Sequence, residues 1–348
     1  MNKIRVLVVD DSVIMRKLLV DILKNDPQIE VVDTAKNGKE AIEKAKALQP
    51  DVITLDIEMP EMDGLTALRY LRREVPRAKV IMFSSLTQEG AKATVEALSL
   101  GAYDFVPKPS TKSFMESVKK IESELIPKIK SVVPLREIKP IFKPTPSTVK
   151  TRLRPGSYRV LGIGVSTGGP QTLMQIIPKL PANFPAPILI VQHMPPLFTK
   201  QLADRLNSIS SLRVKEADQG EPIKEGIVYI APGDYHMEAK KKGGNLLIFL
   251  HQGPPRKFCR PSVDVLFESL ADTYGAKTLA LVLTGMGNDG EDGARRIKEE
   301  GGGVIAQDAE TSVVFGMPKA VIEAGLADEV LSLPQIPQRI KELFPRVC

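Results

Sequence analysis

Two groups of polar residues stand where short apolar runs of this 348-residue chain end, and each group has the makings of a reaction. Asp10 and Asp11 close the run IRVLVV, Asp56 closes DVITLD, Ser84 closes KVIMFS, and Lys108 follows AYDFV just before Pro109. Three carboxylates brought to one place repel one another and need a cation, and ligation by oxygen alone suits magnesium. Asp56 is then the candidate phosphoacceptor, with the Ser84 hydroxyl and the Lys108 ammonium placed to contact added phosphoryl oxygens. Any one of these residues is ordinary strand-end polarity; the inference rests on the set.

The second group suits acyl transfer. Gly164-Val165-Ser166-Thr167-Gly168 fits G-x-S-x-G after an apolar run, where a serine can be presented on a tight turn. Such a five-residue match is weak until a base and an orienting acid are found. The chain has three histidines. His193 directly follows PILIVQ, which puts it at the same kind of edge as Ser166, whereas His236 and His251 flank a hairpin-like stretch and suit structural or substrate-lining roles. Asp289 lies in Thr284-Gly285-Met286-Gly287-Asn288-Asp289-Gly290 after TLALVL and supplies the candidate acid. Backbone N–H groups near Thr167, Gly168 and Met286 are candidates for oxyanion donors, with Met286 equally readable as a packing residue. The order Ser, His, Asp is acceptable because a triad is defined by geometry.

Convergence needs elements that end together. Before residue 127, five apolar runs alternate with amphipathic stretches such as MRKLLVDILK and GLTALRYLRREV, which specifies a parallel sheet covered on both faces. The pattern returns with RVLGIGVS, PILIVQH, GIVYIAPG, TLALVLTG and GGVIAQ, interrupted by YHMEAKKKGGNLLIFL, which reads as an antiparallel hairpin turning at Gly243-Gly244. The expected fold class is α/β with two domains, each a mainly parallel sheet flanked by helices. The first is flavodoxin-like and the second doubly wound. In such sheets ligands sit beyond the carboxyl ends of the strands, where both residue groups lie. Between the two halves, residues 127–154 hold eight Lys or Arg against the single acid Glu137, together with five prolines. Proline removes backbone donors and disfavours helix before it. The expected division is therefore a domain at 1–126, a basic Pro-rich linker at 127–155 and a second domain at 156–348, the linker being either a solvated spacer or an electrostatic docking segment.

With these residues in view, Asp10, Asp11, Asp56, Ser84 and Lys108 resemble the receiver domains of bacterial two-component response regulators. Ser166-Thr167-Gly168-Gly169-Pro170, Gln192-His193-Met194-Pro195 and the glycine-rich segment 284–290 resemble the catalytic domain of chemotaxis protein-glutamate methylesterases. Ala231-Pro232-Gly233 with His236-Met237, and Arg260-Pro261-Ser262-Val263-Asp264, extend the second likeness. The resemblance implies that Asp10, Asp11 and Asp56 hold Mg2+, that Asp56 takes phosphate from a chemotaxis histidine kinase, and that Phe105 reorients as Ser84 engages the phosphoryl group, although a packed aromatic is the simpler reading of Phe105. It implies a Ser166-His193-Asp289 esterase without a cofactor of its own. Its substrates would be methylated glutamates, and glutamines, of chemoreceptor cytoplasmic domains, and the unphosphorylated receiver would occlude the hydrolase. Cys259 departs from the pattern, since many members carry histidine there beside Arg-Pro-Ser.

Composition narrows the alternatives. The linker carries a net charge of +7 out of +6 for the chain, so the rest sums to about −1, which disfavours a nucleic-acid partner. Gly162-Ile163-Gly164 with Gly168 is spaced GxGxxxG, and the next strand ends in Gln192-His193 without a ribose-binding acid, which disfavours a dinucleotide site. Two distant cysteines support neither a disulfide framework nor a CxxC metal site. No run approaches the length of a membrane span and the N-terminus lacks a signal-peptide pattern, so a cytoplasmic address without membrane insertion is expected. A non-catalytic adaptor that kept the fold is the remaining rival.

Overall fold

The computed structural model describes residues 3–109, 114–132 and 153–345. The chain divides into two compact units, Met1–Lys139 and Pro140–Cys348. The first alternates β1 (Ile4–Val9), α1 (Val13–Lys24), β2 (Ile29–Ala35), α2 (Gly38–Leu48), β3 (Val52–Asp56), α3 (Gly64–Glu74), β4 (Lys79–Ser84), α4 (Gln88–Ser99), β5 (Asp104–Pro107) and α5 (Phe114–Val132). Every residue of β3 is buried, as befits a strand covered on both faces. The helices start where the sequence caps them: the side chains of Ser12, Asn37, Asp63 and Thr87 accept from the N–H groups of Met15, Glu40, Thr66 and Gly90. Strand order is β2-β1-β3-β4-β5, parallel throughout. The chain leaves β1 toward one side and returns to the other at β3, so the carboxyl ends of these two strands flank the switch point.

The expected linker start at 127 is corrected by α5, which continues through Pro127 to Val132. Ile121, Leu125, Ile129 and Val132 form a buried stripe along it, and that packing outweighs the hydrogen bond lost at proline. At the other end Leu153 is already buried in the second unit, close to Gly303. The remainder of the basic segment, 133–152, lies outside the described residues.

The second unit comprises β6 (Val160–Val165), α6 (Gly169–Ile176), β7 (Ile188–Gln192), α7 (Phe198–Ile209), β8 (Arg213–Glu216), β9 (Ile227–Ile230), β10 (His236–Lys242), β11 (Asn245–His251), α8 (Val263–Tyr274), β12 (Thr278–Val282), α9 (Glu291–Glu299), β13 (Gly303–Gln307), α10 (Met317–Glu323), β14 (Glu329–Leu331) and α11 (Ile336–Leu343). Seven strands run parallel in the order β14-β13-β12-β6-β7-β9-β8. From β6 the chain builds toward β8 and then returns to β12, which makes the β6–β12 boundary the switch point. The antiparallel hairpin is present: β10 pairs β11 from His236↔His251 to Lys242↔Asn245, turning at Gly243-Gly244. Two short edge strands, β8 and β14, are additions to the sequence reading. Half-exposed and only four and three residues long, they offer no apolar run of the length that marks the other strands.

Gly162 and Gly164 of β6 face α8. A Cβ at Gly162 would lie 2.7 Å from Leu270 Cδ1, and one at Gly164 would lie 2.3 Å from Val263 Cγ1. The G-x-G pair thus lets a helix approach the central strand, the packing role that remains once a nucleotide site is set aside.

Candidate functional site

At the switch point of the first sheet, Asp10 and Asp56 are buried to 0% and 1% exposure, and Asp11 is exposed beside them. One carboxylate oxygen from each of the three can lie within 4.8 Å of the others. Among the described residues, the cation paired with these carboxylates is Lys108, whose Nζ is 2.7 Å from Asp56 Oδ2 and 3.2 Å from Asp10 Oδ2, while Arg16 donates to the Asp10 and Asp11 backbone carbonyls. Burial, reinforced by the charge of Asp10 and only partly offset by Lys108, pushes the Asp56 carboxyl up to about 6. Asp10 is raised too, chiefly by burial. One ammonium therefore leaves the cluster short of positive charge, and an all-oxygen set with one solvent-facing member fits Mg2+.

Ser84 is buried at the end of β4, with its hydroxyl donating to Gly90 O (3.2 Å) and accepting from Thr94 Oγ1 (2.7 Å). It is not hydrogen-bonded to Asp56 here. Thr94 escaped the sequence reading because it lies on α4, away from any strand end. Phe105 is a packed aromatic, 4% exposed, with Lys128 Nζ 5.3 Å from its ring centroid.

The second site lies where β6, β7 and β12 end together. Ser166 follows β6 on a tight turn: its N–H donates to Thr284 O (3.0 Å), and its carbonyl accepts from Gly169 N (2.8 Å) and Gln192 Nε2 (2.9 Å). Gly168, at φ 76°, takes the left-handed conformation that lets the chain turn straight into α6. The β12 side is tied to this turn by Thr284 Oγ1, which donates to Thr167 O (2.9 Å). Among the described residues, the N–H groups of Thr167, Gly168 and Met286 have no hydrogen-bond acceptor. Met286 itself is 36% exposed, which argues against the packing reading.

His193 sits at the end of β7, its N–H donating to Val165 O (3.2 Å), and its Nε2 lies 2.8 Å from Asp289 Oδ2. Asp289 is fixed in turn: Oδ1 accepts from Ser262 Oγ (2.8 Å) and Asp264 N (3.1 Å), and Oδ2 from Val263 N (2.7 Å). The carboxylate thus occupies the N-terminus of α8, where free N–H groups and the helix dipole favour negative charge. Burial opposes its ionisation. The hydrogen bond and charge of His193, with the N–H groups of Val263 and Asp264, outweigh that and hold Asp289 well below the usual carboxylate range. Burial likewise disfavours a charged imidazole, yet Asp289 holds His193 well above the ordinary histidine value. A metal has little to bind at the His193, Cys259 and Asp289 cluster, because both Asp289 oxygens are already committed to protein donors.

Of the three residues of the expected triad, the fold brings His193 and Asp289 into contact and places Ser166 just past the end of β6. No hydrogen bond joins the Ser166 hydroxyl to His193 among the described residues. The sulfur of Cys259 is instead 3.7 Å from His193 Nδ1. His236 is structural: Nδ1 accepts from Ser262 N (3.2 Å) and Nε2 lies 3.1 Å from Pro254 O. Ser262 and Asp264 were visible only as part of a motif; their work, anchoring the acid and its loop, depends on a contact between helices distant in sequence.

The family model described as CheB methylesterase matches residues 161–340, and that described as response regulator receiver domain matches 6–119. A protein-glutamate methylesterase/protein-glutamine glutaminase of Thermotoga maritima is 50% identical over 340 residues, spanning 98% of both chains. One from Pyrococcus abyssi is 48% identical over 346 residues, spanning 97% of this chain and 93% of its own. The crystal structure of the Thermotoga maritima CheB methylesterase catalytic domain superimposes with a TM-score of 0.53 at 54% identity, covering 53% of this chain and 98% of that one. No described helix is long and apolar enough to cross a membrane.

Proposed function

The chain belongs to the family of receiver-bearing protein-glutamate methylesterases, and from that membership we infer that it removes methyl esters from glutamate side chains of chemoreceptors, and amides from their glutamines, under control of phosphorylation. The observation that carries the chemistry is the 2.8 Å contact between His193 Nε2 and an Asp289 carboxylate held at a helix N-terminus. With Nε2–H committed to Asp289, the lone pair of the imidazole lies on Nδ1. Nδ1 takes the Ser166 proton as Oγ attacks the γ-ester carbonyl, and Asp289 stabilises the imidazolium. The N–H groups of Thr167, Gly168 and Met286 receive the oxyanion, a contribution of about 3–4 kcal/mol per donor in other hydrolases. Collapse of the tetrahedral intermediate expels methanol, protonated from Nδ1, or ammonia from an amide. Water then clears the acyl-enzyme by the same steps in reverse.

In the receiver, Asp56 accepts the phosphoryl group from a chemotaxis histidine kinase. Asp10, Asp11 and Asp56 would hold Mg2+, which when bound would supply the positive charge that an incoming phosphoryl group needs among three carboxylates. Lys108 pairs with a phosphoryl oxygen. Ser84 reaches another on leaving Thr94 and Gly90, and Phe105 follows that movement. The receiver is assigned to residues up to Val132 and the esterase to residues from Leu153. The protein acts in the cytoplasm on receptor cytoplasmic domains. Methanol release from membranes bearing methylated receptors tests the reading: Ser166→Ala abolishes it, and retained turnover would remove Ser166 as the nucleophile.

A further inference from the structure

The base nitrogen of His193 faces a thiol. Nε2 is held by Asp289 at 2.8 Å, so the hydrogen-bond network assigns the free lone pair to Nδ1, and the group beside Nδ1 is Cys259 Sγ at 3.7 Å. Sulfur, imidazole and carboxylate form a continuous Cys–His–Asp relay next to a serine that is not itself hydrogen-bonded to the imidazole. A thiol is both more acidic and more nucleophilic than a serine hydroxyl, and a neighbouring histidine that can take its proton activates it. The sulfur is also held in place. Arg256 and Cys259 exchange both backbone hydrogen bonds (3.1 and 2.9 Å) across the turn Lys257-Phe258, and Lys257 is tethered to Asp264 (2.9 Å). On the other side Arg260 grips Asp234 through Nε (2.9 Å) and Nη2 (2.6 Å). Cys259 is partly exposed, and its neighbour Phe258 is fully so, which leaves a path for small reagents.

We propose that Cys259 is a modification site: a histidine-activated thiol that reacts with soft electrophiles, peroxides and alkylating agents above all, and that blocks ester hydrolysis once modified. With hydrogen peroxide, the Sγ proton passes to Nδ1, and sulfur attacks one oxygen so that an S–O bond forms as the O–O bond breaks. The departing oxygen takes the proton from Nδ1 and leaves as water. Sulfur is oxidised by two electrons to the sulfenic acid and the peroxide is reduced by two, a change that thiols reverse. With iodoacetamide an S–C bond forms, the C–I bond breaks and iodide leaves. In either case the added group occupies the space beside Nδ1 that the Ser166 proton must cross. The second clause rests on the proposed esterase function; the reactivity does not.

The two are read separately in the full-length chain carrying Cys348→Ser, which leaves Cys259 as the one thiol. Iodoacetamide labelling followed by intact mass is measured from pH 6 to 9 against free glutathione. Labelling about tenfold or more faster than glutathione at pH 6.5 is expected. His193→Gln returns the rate to that of the free thiol, whereas Ser166→Ala leaves it high. A Cys259 rate in this Cys348→Ser chain that follows glutathione across the whole range overturns the proposal without appeal to His193→Gln or Ser166→Ala. Methanol release is expected to fall in proportion to the label, and peroxide-treated enzyme is expected to recover with dithiothreitol. Cys259→Ser retains its own starting activity through peroxide treatment. Fully labelled enzyme that still turns over overturns the block, while unlabelled enzyme with no turnover overturns the esterase reading and leaves the thiol reactivity standing.

Discussion

Asp264 and Asp289 cap each other's helices. Asp289, in the loop that precedes α9, accepts from Val263 N and Asp264 N at the start of α8; Asp264, in the first turn of α8, accepts through Oδ1 from Gly290 N (2.9 Å) and Gly293 N (2.8 Å) at the start of α9. Each helix leaves N–H groups unsatisfied at its N-terminus, and here each set is satisfied by the partner helix's carboxylate. The exchange fixes Asp289 before any substrate arrives. Asp264 is raised by burial, with the charge of Asp289 adding to it, and is held ionisable by its backbone donors and Lys257. Asp289 faces His193 and is lowered. Two carboxylates on one helix pair are thus pushed in opposite directions by their surroundings.

Replacing Asp264 by alanine leaves the N–H groups of Gly290 and Gly293 without their acceptor and frees the loop that carries Asp289. The expected loss is about 1–3 kcal/mol of stability in the catalytic unit, together with a fall in kcat larger than any change in KM. Asp264→Asn keeps an acceptor oxygen and loses less on both counts. Thermal melts paired with methanol release check this. An alanine variant with full kcat would show that the reciprocal caps do not position the acid.

The acid limb of kcat/KM is expected to lie above the ordinary histidine value of about 6.5. The sign follows from the base role. His193 works in its neutral form, and Asp289 raises its proton affinity, so activity climbs as pH rises through the elevated value and is lost below it. Asp289→Asn removes the charge, moves the limb to lower pH and lowers the maximum rate. A limb that stays in place in Asp289→Asn would assign it to another group.

In the receiver, buried Asp10 and Asp56 carry more negative charge than Lys108 balances, so a divalent cation is expected to stabilise the fold. At a hundredfold excess over its Kd, Mg2+ adds about 2.7 kcal/mol, read as a rise in the receiver's melting transition. Asp10→Asn loses most of that gain. Asp56→Asn is expected to make methanol release indifferent to a small phosphodonor such as acetyl phosphate, and a variant that still responds would move the phosphoacceptor elsewhere.

What the sequence displayed and what it hid follow from range. Ser166, His193 and Asp56 end strongly apolar strands, so local pattern alone placed them at sheet edges. The hairpin was legible because Gly243-Gly244 is a turn signal between alternating runs. Pro127 misled, because the stripe Leu125, Ile129 and Val132 gains more from burial than one missing hydrogen bond costs. Asp264 and Thr94 act through partners on other elements, and no local pattern reports that. Which imidazole nitrogen faces which group is a further step removed. It is set by where the N-terminus of α8 holds Asp289, and the Cys259 contact appears only with the fold.

The glycine pair once open to a nucleotide reading yields the last prediction. A methyl group at Gly164 would lie 2.3 Å from Val263 Cγ1, 2.9 Å from Cγ2 and 3.2 Å from Cβ, a buried, β-branched side chain that is stiff at χ1. Relief requires α8 to move away from β6, at a cost of about 1–3 kcal/mol. Val263 is also the first residue of α8, and its N–H holds Asp289 Oδ2 at 2.7 Å. A displacement of α8 is therefore transmitted to the acid and from it to His193, although Gly164 touches no substrate. Gly164→Ala is expected to lower both the melting temperature and kcat, while Gly162→Ala, which meets Leu270 a turn and more deeper in the helix, lowers stability with a smaller effect on turnover. Equal losses of kcat in the two variants would mean that α8 moves as a rigid body and that the position of Val263 carries no special weight.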